Sequence, residues 1–119
     1  MEDPLTFGLS ARIQADFIRV FERYPQIHRV LIFGSRAKGN ARPGSDIDLA
    51  VLAPQMTDLE FAQLWNAIDD LPLVFKVDLL HWDRLANAPL KDKIRREGRL
   101  FYEPAPGHKH LAIAGIAHD

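Results

Sequence analysis

Apolar residues return every three or four positions between 10 and 24, at Ile13, Phe17, Val20, Phe21 and Tyr24. That spacing puts them in one stripe on a helix. Ser10 can cap its start, and Pro25 ends the run. Arg29–Phe33 reads as a short buried strand, because branched apolar residues follow one another without a break. Residues 34–45 hold Gly34, Gly39, Pro43 and Gly44 and read as a loop or short helical turn. Residues 46–52 alternate as a second strand. Thr57-Asp58-Leu59-Glu60 is a capping box, followed by Phe61, Leu64, Trp65 and Ile68 at helical spacing. A third strand is expected over 73–82. Pro89 suits the start of another helix, which runs through Ile94 and stops at Gly98. Arg99–Tyr102 reads as a last short strand. The order helix-strand-strand-helix-strand-helix-strand predicts an α/β domain, a small mixed sheet with helices packed on one face.

The candidate chemistry sits where the first strand turns into the second, in LIFGSRAKGNARPGSDIDLAVLA. Side chains alternate along a strand. Asp46 and Asp48 therefore share one face, while Ile47, Leu49 and Val51 take the other. In the third strand the same alternation puts Lys76 and Asp78 on one face, opposite Phe75, Val77 and Leu79. Converging carboxylates disfavour each other's ionised forms unless a cation lies between them. Mg²⁺ takes carboxylate and phosphate oxygens together. Asp46, Asp48 and Asp78 thus form a candidate metal and catalytic triad, and a two-metal site is one arrangement they could make. A salt bridge to Lys76 is the competing account of Asp78. The Gly34-Ser35 turn lets backbone approach a phosphate closely. Arg36 and Lys38 are candidate triphosphate contacts or, equally, solvated charges. No Walker A spacing follows the turn.

Composition narrows the field. The 119 residues are 47% hydrophobic and 26% charged, the size of one domain with one core. A net charge of −1 gives no basic bulk for direct nucleic-acid binding. No apolar run is long enough to span a bilayer, and Met1-Glu2-Asp3-Pro4 does not open a signal peptide. The absence of cysteine excludes disulfides and thiolate metal sites. A cytoplasmic protein is expected. His108 and His110 flank Lys109 in a segment that reads as a solvated tail. The basic run Lys91, Lys93, Arg95 and Arg96 reads as an exposed helix face. The expected organisation is a domain over 1–103 and a flexible tail over 104–119.

GSRAKG, then SDIDLAV, then KVDLL resembles the minimal nucleotidyltransferase family of the DNA polymerase β superfamily. That family's pattern is Gly-Ser, ten residues, Asp-x-Asp, and a third acidic residue on a later strand. Residues 29–102 follow it in order and spacing, down to the IRREGRLFYE ending. The resemblance implies a polymerase β-like nucleotidyltransferase core. It implies Mg²⁺-dependent transfer of a nucleoside monophosphate from a triphosphate, ATP by family inference, to a hydroxyl. It also implies a partner, because many small members are antitoxins that adenylylate a tyrosine of a HEPN-domain ribonuclease toxin. The chain runs only a short way past its last expected strand, so its acceptor is expected to come from another protein or from a shared dimer interface. Two further readings stay open. One is a homodimeric transferase acting on a small hydroxyl compound, and the other is an antitoxin that neutralises by contact alone.

Overall fold

The computed structural model describes residues 6–42 and 44–105. Pro43 of the loop and residues 106–119, which include His108, His110 and most of the expected tail, lie outside the described residues. In chain order the elements are α1 (Ala11–Phe21), β1 (Arg29–Phe33), α2 (Ser35–Lys38), β2 (Ile47–Leu52), α3 (Asp58–Asp69), β3 (Val77–His81), α4 (Ala88–Glu97) and β4 (Arg99–Tyr102). A single 3₁₀ turn, Trp82–Arg84, follows β3.

Local chemistry accounts for most boundaries. Ser10 Oγ accepts from the Ile13 amide at 3.2 Å and starts α1. The helix stops at Phe21, short of the expected 24, because the chain tightens there. The amides of Arg23 and Tyr24 bond three residues back, to Val20 and Phe21. At α3 both halves of the capping box form. The Glu60 amide donates to Thr57 Oγ1 at 3.1 Å, and the Thr57 amide donates to Glu60 Oε1 at 2.9 Å. Asn87 Oδ1 caps α4 by accepting from the Leu90 amide, and Pro89 sits in its first turn. Strand β3 is shorter than the expected 73–82. Its register begins where β2 begins, at the pair Ile47 and Val77, and ahead of it only the Lys76 carbonyl bonds to β2, from the Ile47 amide.

The sheet order is β3-β2-β1-β4. β1 runs antiparallel to β2 and β4, and β2 runs parallel to β3. A parallel pair needs a crossover, which α3 provides. The sheet is therefore mixed, as the pattern predicts. Phe17 and Phe21 of α1 and Leu64 and Ile68 of α3 pack on Val30, Ile32, Ile47, Leu49, Val51 and Leu79 from one face. The alternate strand residues Phe33 and Ala50 point to the other face, where Ile94 of α4 covers them. Helices therefore cover both faces, which corrects the expectation that they pack on one face only. The second cluster leaves the end of the face that carries Asp48 and Asp78 outside the apolar packing. No helix among the described residues is long and apolar enough to cross a membrane.

Candidate active site

The parallel register pairs Asp48 with Asp78. Registered partners on neighbouring strands point to the same side of a sheet, so the two carboxylates stand side by side. On the other flank of β2, Asp48 is registered with Phe33, the last residue of β1. The chain then turns at Gly34, with φ 79° and ψ −157°. A Cβ placed on Gly34 would come within 2.5 Å of Asp48 Oδ2. Glycine is required here twice over, for its positive φ and for its close approach to a carboxylate. The Gly-Ser turn and the second aspartate of the Asp-x-Asp are thus in direct contact. Ser35 opens α2 and is exposed.

Burial pushes the Asp48 carboxyl above the usual range. The charge of Asp78, a side-chain hydrogen bond with it, and the charge of Asp46 push the same way, and the charge of Lys93 opposes them. Asp46 lies just before β2 and is exposed, near enough for its charge to be felt at Asp48. Lys76 Nζ lies 3.9 Å from Asp78 Oδ1. Asp78 therefore has the salt bridge to Lys76 and also neighbours Asp48. The Lys76 pair is largely exposed and holds little energy.

Among the described residues, no three acidic or histidine side chains converge on one metal position. The donor set still fits Mg²⁺. That ion is commonly held by one or two carboxylates and completes its shell with water and substrate phosphates. Apposed carboxyls, one of them raised by its neighbours, supply hard oxygen donors and a repulsion that a divalent cation would relieve further.

Arg36 is not at the site, which corrects the expectation that it contacts phosphate. It is 3% exposed. Its Nε and Nη2 donate to the Ser45 carbonyl at 3.1 and 2.9 Å, and Nη1 donates to the Phe7 carbonyl at 3.0 Å. The ring of Phe75 lies 4.9 Å from the guanidinium carbon. The single turn of α2 explains the difference. Arg36 and Ala37 face inward, and Ser35 and Lys38 face outward. Lys38 stays half-exposed, with its ammonium 3.4 Å from Glu97 Oε2. Lys93 is the residue that sequence reasoning passed over. It belongs to the basic run of α4 and is exposed, yet its charge acts on Asp48. Its neighbours behave otherwise, since Lys91 and Arg95 lie over the Trp82 ring at 4.6 and 5.2 Å. One signal was available in the sequence: Lys93 immediately precedes Ile94, the apolar residue that must face the sheet.

Comparison with known proteins gives concordant results. The probable protein adenylyltransferase MntA of Haemophilus influenzae is 41% identical over 56 residues, 46% of this chain and 49% of that protein. The chain therefore matches about half the length of that curated relative. A crystal structure described as a toxin-antitoxin with AMP-PNP superposes with TM-score 0.61 at 24% identity, over 87% of this chain and 83% of that one. A structure of the tri-AMPylated Shewanella oneidensis HEPN toxin in complex with MNT antitoxin gives TM-score 0.53 at 22% identity, over 87% and 80%. These two likenesses establish the fold. The family described as polymerase beta nucleotidyltransferase matches residues 16–106, which contain the Gly-Ser turn, both strands of the carboxylate pair and α4. The chain belongs to the polymerase beta nucleotidyltransferase family.

Proposed function

We propose that this protein transfers AMP from ATP to a hydroxyl, a tyrosine of a HEPN-domain toxin, and so acts as that toxin's antitoxin in the cytoplasm. The observation that carries the reading is the side-by-side pairing of Asp48 with Asp78, with Gly34 held against Asp48. Asp48 and Asp78 are the pair that would hold Mg²⁺, and Asp46, exposed just before β2, would have to turn toward them to join. The bound ion supplies charge neutralisation at the phosphates and the acceptor oxygen. The first-turn amides of α2 have no partners within the helix, and with Ser35 they cradle phosphate beside the carboxylates. The acceptor oxygen attacks the α-phosphorus. A new O–P bond forms as the bond to the bridging β-phosphate oxygen breaks, and pyrophosphate leaves with the electron pair. Asp78, at the open edge of the pair, takes the hydroxyl proton. The names of the relatives support the choice of substrate and partner: a probable protein adenylyltransferase and an AMPylated HEPN toxin bound to its MNT antitoxin.

The test is the intact mass of a HEPN protein encoded beside this one, after incubation with the protein, Mg²⁺ and each nucleoside triphosphate. An AMP-sized increment is expected with ATP. Asp46→Asn should lower its rate by on the order of 10³-fold. A stable complex with no increment from any triphosphate would replace transfer by neutralisation through contact. Transfer only to a small hydroxyl compound would replace the protein acceptor.

A further inference from the structure

A nucleoside triphosphate brings several negative charges to a site already built from carboxylates. A divalent ion offsets part of that charge, and protein cations must meet the rest. Arg36 cannot serve, because its guanidinium is committed to the carbonyls of Ser45 and Phe7. Lys38 is held by Glu97 at 3.4 Å. Lys76 is paired with Asp78 on the open edge of the sheet. Among the described residues, no carboxylate lies within ion-pair distance of Lys93.

The contacts of its neighbours on α4 place Lys93. Ile94 packs on Phe33 and Ala50, so α4 lies over the sheet face that also carries Asp48. Ala50 is two residues beyond Asp48, on the same side of β2. Glu97 is one helical turn beyond Lys93, on the same flank of α4, and it reaches Lys38 in the turn that follows Gly34. The flank bearing Lys93 and Glu97 therefore looks onto the Gly-Ser turn and the carboxylate pair.

We infer that Lys93 binds the β- and γ-phosphates of the incoming triphosphate and stabilises the pyrophosphate as it leaves. This deepens the nucleotidyltransferase reading above and rests on it. The ammonium is a mobile point charge on a long stem. It can follow the β-phosphate oxygen as that oxygen gains the electron pair of the breaking bond. Lys38, released from Glu97 when phosphate arrives, would complete the clamp from the α2 side.

The experiment compares binding of AMP-PNP and of AMP, in Mg²⁺, to wild type, Lys93→Met and Lys93→Arg, with a melting curve for each variant. Lys93→Met should weaken AMP-PNP by about tenfold or more, the loss of one charged contact. It should change AMP by less than about twofold, because AMP lacks the phosphates in question. Lys93→Arg should restore most of the loss, and all three proteins should melt together. Unchanged AMP-PNP binding in Lys93→Met, with wild type binding normally, would overturn the assignment and leave the proposed function standing. Equal losses for both ligands, or a lowered melting temperature, would make Lys93 a support of the fold and overturn it too. Wild type that binds neither nucleotide would overturn this inference and the proposed function together.

Discussion

The two faces of the sheet are built to different ends. The face under α1 and α3 is closed by large side chains, including Phe17, Phe21, Leu64 and Ile32, all with little or no exposure. Aromatic rings knit it together. Phe17 meets Phe101 edge-on at 5.5 Å, and Phe21 stacks beside Phe17 at 6.1 Å. The face under α4 has three buried residues, Phe33, Ala50 and Ile94, and then gives way to Asp48 and Asp78. Full burial of one large apolar side chain is worth about 1.5–3 kcal/mol, so the first face holds the fold together. The second face gives up apolar area to place charges that repel. The same strands serve both ends because their side chains alternate.

The comparison breaks most visibly at Phe17. Phe17→Ala should cost about 3–5 kcal/mol, a large share of the roughly 5–15 kcal/mol that a domain has. Denaturant titration should show it, and activity should fall only as folded protein is lost. A variant that melts normally but fails to transfer AMP would mean that the packed face takes part in the chemistry.

Arg36 sharpens the comparison, because it lies next to the Gly-Ser turn yet works for the fold. Arg36→Met would leave the carbonyls of Phe7 and Ser45 without their donor. The expected cost is about 2–3 kcal/mol, with AMP-PNP affinity of the folded protein changed less than about twofold. Lost nucleotide binding at unchanged stability would return Arg36 to the phosphate.

Arg36 also marks the limit of what the sequence could say. A basic residue after Gly-Ser reads the same whether it meets phosphate or carbonyl. The choice was made by Phe7, 29 residues away, and Ser45, nine away. Lys93 was hidden for a similar reason, since its role depends on where α4 docks. Residues 73–76 alternate like a strand, but the register with β2 starts only at Val77 and just the Lys76 carbonyl bonds to β2, from the Ile47 amide at 2.9 Å. By contrast, the capping box at Thr57 and the span of β1 depend on neighbours in sequence and were legible. Asp46, expected to share a face with Asp48 by strand period, lies just before β2 and is exposed. That Asp78 would be registered beside Asp48 needed the parallel pairing, which the chain order allows without dictating.

The smallest expected effect is also the clearest separation of the two faces. Asp48 is raised by burial first, then by Asp78 and Asp46. A raised carboxyl holds its proton more tightly in the folded state than in the unfolded one. Its contribution to stability is then full below the unfolded value, about 3.9. The contribution is lost as pH rises through the folded value. At neutral pH and in EDTA, the ionised Asp48 should therefore weaken the fold, and Asp48→Asn should melt above wild type. The gain should stay below about 1 kcal/mol, since the carboxyl is only partly buried and water screens it. The advantage should vanish as pH falls below about 4. Mg²⁺ with AMP-PNP should reverse the order, because a ligand of the folded state stabilises the protein that binds it. Asp48→Asn melting below wild type in EDTA at pH 7 would mean that the carboxylate is held for the sake of the fold. The distinction between the two faces would then fail at the residue where it matters most.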